Sequence, residues 1–599
     1  MNAVAAAYGA AEGARAEVSM LLDRMPARAG ANRILLDHAA GAVAAAGASP
    51  ASAAIGGFAM LAGDLRLDNA GELRRALGLA PDAADADIAL EAFARWGDSF
   101  AHHLYGDFAF SILDLRAGRL LAVRDALGIR PLFYRADRGR VRCASEVRAL
   151  VEPGDVIDEG YLGEMAAGDA VDIEGTPFAA IRRVPAAHVL IAAAGGPTLR
   201  RYWEPSREQH TGSIADHAAR FRDEFDAAVM RQCAGALRVG VHLSGGLDSS
   251  SILGSICDNG FAAAVPASLI FPWPEADERE WTRLAARRWS IEPILVAPPV
   301  DPSANDLHHI ATYKDLPDNP AGVPLMIPLH AALRERGVSV VLTGHGGDQW
   351  WAGDMAYMSD LLRAGRFAAL NQWRAAGPAL GEEIEWSWRS FARNGMLPIV
   401  PPALRRAVRR VVPSSIPEWI DPGFAKRIDL RERLRRRPGA EGAPSEAWAR
   451  MRWRLDSGEE AWSKEKLDRT AAVTGVELRH PFYDRRLVEL AFATPESARV
   501  GPRWNRVAMR EAMKSRLPPE IASRVTKADM TSVLVSATRA HEVAASLEAA
   551  ALVERGWVNR GAVAGLAASV IGGRNVFGAA PLWRLIGVEA WLNAGFGAR

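Results

Sequence analysis

Cysteine is scarce. Cys143, Cys233 and Cys257 are the only three in 599 residues, and no two form a CxxC pair. That excludes a disulfide framework and a thiolate zinc centre, and it fits a reducing compartment. An excess of one charge is also missing. Lys and Arg total 72 against 71 for Asp and Glu, so net charge points to neither nucleic acid nor membrane as a partner. The longest apolar run, around 39–61, is rich in Ala and Gly and broken by Ser49 and Pro50, which makes a poor membrane span. The first residues, MNAVAAAYGAAEGARAEVSML, lack a basic region and carry Glu12, unlike a secretory signal. A cytoplasmic protein is expected. Internal repeats and long low-complexity linkers are absent. So is GxxxxGK[ST], which excludes a Walker A phosphate loop.

What is present is a chain too long for one ordinary domain, with 49% hydrophobic residues to build its cores. Up to about residue 205, short β-like runs (GGFAMLAGDLRL, DFAFSILDL, RLLAVRDAL, PLFYRA, RVRCASEV) alternate with Gly, Asp and Arg turns. That pattern predicts an α+β domain of antiparallel sheets over 1–205, with RRYWEPS as its exit. From Ile214 the pattern changes. A helical run leads to the strand RVGVHL, and strands and helices then alternate through AVPASLIF, PILVAP and VSVVLTG. This predicts a parallel sheet covered by helices over 206–599. Ligands of such sheets sit at the carboxyl ends of strands, where both SGGLDSS (244–250) and TGHGGD (343–348) fall. Residues 355–460 add helices rich in Arg and Trp. The arginines at 405, 406, 409, 410, 431, 433, 435, 436 and 437 read better as a solvated helix face than as a binding patch.

The turn after RVGVHL has a physical reading. Gly245 and Gly246 let the backbone approach an anion, and the N–H groups of the loop and of the next helix point at it. Ser244, Ser249 and Ser250 add hydroxyls. Asp248 would repel a phosphate unless a divalent cation stood between them, an arrangement that suits Mg²⁺. The loop therefore reads as a pyrophosphate cradle with a magnesium ligand, against the plainer reading of a Gly-Ser turn that caps a helix.

SGGLDSS resembles the signature of pyrophosphatase-loop enzymes, which transfer AMP from ATP to a carboxylate. The remaining blocks resemble the asparagine synthetase superfamily. GDFAFSILDLRAGRLLAVRDALGIRPLFY and ASEVRAL are similar to its glutaminase domain. VVLTGHGGDQWWAG, KLDRTAAVTGVELRHPFYDRRLVELA and LPPEIASRVTKADM are similar to its synthetase domain. The resemblance implies an Ntn-type antiparallel sandwich followed by an α/β domain like the adenine-nucleotide α-hydrolases, with helical additions. It implies ATP bound by Leu243, Ser244, Gly245, Gly246, Leu247, Asp248, Ser249, Ser250, Thr343 and Gly344. Mg²⁺ would be held by Asp248 and Asp348. Lys527 matches a family lysine that contacts the phosphates and the reaction centre. Glu477 and Arg479 match an E-x-R-x-P-F block, either as an ion pair that shapes the pocket or as substrate ligands.

Two departures bear on function. The family's glutaminase needs a cysteine at the mature amino terminus, whereas this chain reads Met1-Asn2-Ala3 and has no cysteine before Cys143. The domain is expected to be degenerate and to serve in structure or docking. His345 stands where asparagine synthetases carry a glutamate associated with ammonia. It would orient or deprotonate a different amine near neutrality, or merely pack. Among relatives with both losses, the chain most resembles lasso peptide cyclases. These adenylate an Asp or Glu side chain of a leader-cleaved peptide and close an isopeptide bond with its own amine. That reading expects a precursor peptide, a leader peptidase and a leader-recognition protein as partners. The alternative is an amide ligase for a small molecule, of asparagine synthetase or β-lactam synthetase type.

Overall fold

The computed structural model describes residues 1–9, 13–28, 30, 32–55, 57–261, 263–299, 316–317, 322–376, 387–401, 404, 416–436, 441–526, 528–540, 550–572 and 578–596. The amino-terminal part contains twelve strands. The first six are β1 (Ala3–Tyr8), β2 (Asn32–His38), β3 (Gly41–Gly47), β4 (Ala51–Ile55), β5 (Ala59–Leu67) and β6 (Gly106–Asp114). Then come β7 (Arg119–Arg124), β8 (Phe133–Asp137), β9 (Arg140–Ala144), β10 (Ile181–Arg183), β11 (His188–Ala193) and β12 (Gly196–Arg201). They form two six-stranded sheets, ordered β10-β8-β9-β1-β3-β2 and β12-β11-β7-β6-β5-β4, in which every pair of neighbouring strands runs antiparallel.

β1 (AVAAAY) and β3 (GAVAAAG) are strands of alanine, a weak strand former. Burial overrides propensity here. Ala3 pairs with Ala46 and Ala5 with Ala44, and these side chains have no solvent exposure. Ala6, Val43 and Ala45 of one sheet share a buried cluster with Ala62, Ala109 and Leu113 of the other, so small residues let the two sheets close on each other. The apolar run at 39–61 thus supplies β3, β4 and the start of β5. No helix among the described residues is long and apolar enough to cross a membrane.

The third sheet is parallel, with β13 (Val239–His242), β14 (Ala264–Leu269), β15 (Ile294–Val296), β16 (Val340–Leu342) and β17 (Glu477–Arg479). Its order is β15-β14-β13-β16-β17. The chain therefore builds outward from β13 on one side and returns to add β16 on the other. This reversal opens a crevice between the carboxyl ends of β13 and β16.

Part of the helical region serves the amino-terminal half. Phe424 and Leu430 join Trp557 and Trp583 in a cluster with Tyr161, Leu162 and Met165. Phe424 stacks on Trp557 at 5.2 Å, and Arg433 pairs with Glu164 at 3.1 Å. Of the arginines singled out in this region, 405, 406, 409, 410 and 437 lie outside the described residues.

Candidate active site

The loop after β13 is fixed by backbone constraints. Leu243 N–H donates to Ala267 O at 2.9 Å, which holds the strand end beside β14. Gly245 adopts φ +67°, and a Cβ there would lie 2.4 Å from the Trp281 carbonyl carbon, so the position requires glycine. The helix Leu247–Asp258 begins at once, with its first turn facing the crevice. Ser249 Oγ accepts from Ser244 N–H at 3.2 Å and lies 3.1 Å from Ser244 Oγ, so two hydroxyls and the loop amides form one polar wall. Ser250 corrects an expectation. Successive helical residues turn by about 100°, and its hydroxyl points into the interior, fully buried, with no hydrogen-bond partner among the described residues. Gly245 likewise shapes the loop without lining the crevice.

The loop after β16 closes the other side. Thr343 accompanies Gly344, where a Cβ would sit 3.2 Å from the Asp248 Cβ. At Gly347 a Cβ would fall 2.5 Å from the Asp248 Cγ. Both glycines let the second loop touch the first. Between them is a cavity of about 500 Å³, within the usual range for small-ligand sites. Its apolar end is formed by Ala267, Leu269, Phe271 and Leu329. Its polar end holds Ser244, Gly246, Asp248, Ser249, Thr343, Gly344 and Asp348, with Arg506, Arg510 and Arg524. Leu243 and Leu247 also line it, as do His242 and Glu278.

The two aspartates meet, as the sequence led one to expect, around an unexpected group. The Arg506 guanidinium donates to both Asp248 oxygens at 2.8 and 2.9 Å and also binds Asp348. Arg506 is buried and takes a left-handed backbone, φ +59°, that a side-chain-bearing residue rarely adopts. One cation thus reaches both carboxylates, and the same pair fits Mg²⁺ completed by phosphate oxygens. No group of three or more His, Cys, Asp and Glu that would hold a metal unaided occurs among the described residues. Lys527 lies outside the described residues.

His345 departs from the expected base. It lines neither the crevice nor the cavity beside it. Its ring stacks on Tyr483 at 5.2 Å, and burial, with His480 and two lysines nearby, pushes its pKa down to about 3. It is neutral near pH 7 and too weak a base for the role assigned to it. Glu477 and Arg479 also lie away from the crevice. They pair with each other at 3.1 Å, and Glu477 takes Arg130 of the amino-terminal half at 2.7 Å. Although burial opposes it, the Arg130 and Arg479 guanidiniums hold the Glu477 carboxyl well below the usual carboxylate range. This is the ion-pair reading, tying β17 to the other half of the molecule rather than touching a ligand.

A second cavity, of about 540 Å³, adjoins the first. Asp348 belongs to both walls. Asp354, Trp453, Arg454, Glu459 and Glu460 line it, and Asp169 comes from the amino-terminal half. Tyr483 donates its hydroxyl to Glu460 at 2.6 Å and lies 3.3 Å from His345 Nε2. Sequence reasoning missed Glu460, Tyr483 and Arg506. Tyr483 lay inside the quoted block HPFYD, but nothing in one sequence marks Arg506 among so many arginines.

None of the three thiols is activated. Burial pushes Cys143 and Cys233 up to about 12 and Cys257 to about 11. Asn2 is buried, its side-chain amide donating to Asp64 at 2.8 Å.

Fold and site together define a two-part protein, an antiparallel sandwich joined to a parallel α/β unit with a glycine- and serine-rich loop at its switch point. Comparison with known proteins narrows this. Residues 220–593 match the asparagine synthase family, and residues 42–203 match the glutamine amidotransferase domain. The chain belongs to the asparagine synthase family. It is 34% identical over 173 residues to asparagine synthetase [glutamine-hydrolyzing] 3 of Bacillus subtilis, covering 28% of each chain. It is 26% identical over 302 residues to the amidase chyE of Penicillium rubens, 47% of this chain and 44% of that protein. A putative asparagine synthetase of Mycobacterium bovis is 24% identical over 467 residues, 74% of this chain and 69% of its own length. The chain thus spans under half the length of the first two.

Proposed function

We propose that this protein is an ATP-dependent, AMP-forming amide ligase whose acceptor amine does not come from glutamine. The observation that carries the reading is the pair of cavities sharing Asp348. One is lined by the Ser-Gly-Gly loop and would take the nucleotide; the other would take the partner of the reaction. A substrate carboxylate oxygen attacks the α-phosphorus of ATP, and pyrophosphate leaves. The amine nitrogen then attacks the acyl carbon; AMP leaves and the amine gives up a proton. Asp248 and Asp348 would hold Mg²⁺, which when bound would supply charge neutralisation on the phosphates. The loop amides and Ser244 and Ser249 orient the phosphates. Glu460, on the second cavity's wall, would receive the amine proton, one of the two roles the sequence suggested for His345.

Within this class the finer reading is a macrolactam cyclase of lasso type, using the α-amine of a leader-cleaved peptide. Position 345 lacks the ammonia-associated glutamate, and the buried thiols offer no glutaminase nucleophile. Having both groups on one peptide supplies effective molarities of roughly 10⁵–10⁸ M. A leader peptidase and a leader-recognition protein would prepare that substrate. The small-molecule ligase remains the second reading, favoured by the relatives named asparagine synthetase. The test is incubation with ATP, Mg²⁺ and free or N-acetylated core peptides. AMP, pyrophosphate and a peptide lighter by one water support the cyclase; loss of water from the acetylated peptide refutes it. ADP as the stoichiometric product refutes the whole class.

A further inference from the structure

Arg506 holds the two carboxylates that the ligase reading assigns to the metal, and the following inference rests on that reading of the crevice. We propose that Arg506 is the resident counter-ion of the empty site, exchanged for the divalent cation when the nucleotide arrives and then turned onto the pyrophosphate end. Three observations support it.

Gly344 and Gly347 bring the two loops so close that Asp248 and Asp348 share one guanidinium. Two carboxylates at that spacing repel each other unless a cation stands between them.

The other arginines of the crevice are committed elsewhere. Arg510 donates to the carbonyls of Asn505, Ala522 and Arg524 at 2.7–2.9 Å. Arg524 pairs with Glu278 at 2.7 Å. Arg506 is held by the groups that a metal–triphosphate complex would claim, so metal entry and arginine release compete for the same oxygens.

Arg506 also sits where release is useful. It lines the same crevice as Ser244 and Gly246, whose loop would cradle the leaving pyrophosphate. Its left-handed backbone, pinned where Asn505 Oδ1 accepts from both Arg506 N–H (2.9 Å) and Gly353 N–H (2.8 Å), fixes the origin of the side chain while the guanidinium changes partner.

The experiment is a Mn²⁺ titration of the full chain, read as free Mn²⁺ by electron paramagnetic resonance, with and without inorganic pyrophosphate. Calorimetry of pyrophosphate binding accompanies it. Wild type is expected to bind Mn²⁺ weakly until pyrophosphate is added. R506Q removes the competitor, so Mn²⁺ without pyrophosphate should bind about tenfold more tightly and Mn²⁺–pyrophosphate about tenfold more weakly. If R506Q does not fold, R506K carries the same contrast, because an ammonium cannot bridge both carboxylates as the planar fork does. Affinities equal to wild type for both ligands overturn the proposal and leave a structural ion pair. Product analysis separates the two readings. AMP and pyrophosphate from wild type with unchanged variant titrations reject the exchange alone. The expected titrations with ADP as product reject the ligase alone.

Discussion

His242, His330, His345 and His480 form a belt of neutral imidazoles under the crevice. His242 Nε2 lies 3.0 Å from His330 Nε2, and His480 Nδ1 lies 2.7 Å from Thr343 Oγ1. Burial pushes His242, His345 and His480 down to about 3 and His330 to about 4. Their unfolded values lie near 6.5, so between roughly pH 6.5 and 4 the unfolded chain binds more protons. Stability is then full above pH 6.5 and falls as the solution is acidified, by up to about 1.4 kcal/mol per pH unit for each histidine. Thermal melts from pH 7 to 4.5 should show this, with a shallower slope in His330→Asn. No such belt is legible in sequence, since His242 and His330 stand far apart in the chain and meet only through the packing of the fold. Asp248 and Asp348 were legible because glycines and strand ends marked them. Arg506 was not, because its partners are set by the fold and not by its neighbours.

At the scale of the element, the strand–loop–helix after β13 and the loop after β16 decide the site. Both were readable because apolar runs of strand length end in Gly-rich turns. What the sequence could not give was which serine faces the crevice. Three in a row on a helix cannot all do so, and the helix phase follows from packing. The close contact at Gly347 yields a prediction. Gly347→Ala puts a methyl against the Asp248 carboxylate, forcing the two loops apart. Pyrophosphate release should drop by about a hundredfold or more, in line with the effect of misplacing a reacting group by an ångström, while far-ultraviolet circular dichroism stays unchanged. Release at the wild-type rate would show that loop contact is not needed.

For the whole molecule, the centre of the joint between halves is ionic and buried. Glu465, with no exposed side-chain surface, lies between Arg183 at 2.7 Å and Arg124 at 3.1 Å. Arg28 binds Glu146 at 2.8 Å and also Asp468. The helix Gly458–Thr474 supplies Glu465 and Asp468, and β17 supplies Glu477, to arginines of the amino-terminal half. Glu465→Gln leaves two buried guanidiniums short of a counter-charge and should destabilise the protein by roughly 3–5 kcal/mol, read as a lowered urea midpoint. A midpoint unchanged from wild type would mean that the joint contributes nothing. The sandwich and the parallel sheet were each foreseeable from strand patterns. That helices beyond residue 420 pack on the amino-terminal half was not, because an apolar face does not name its partner. Asp348, finally, belongs to the walls of both chambers, so the two meet at one carboxylate. On the ligase reading proposed above, an activated acyl group held there would meet either the amine or water, and each hydrolysis would discard an AMP without making a bond. The yield of amide per nucleotide consumed would then be a property of how tightly that space is filled, and a substrate that fits it loosely would still be activated and then leak away.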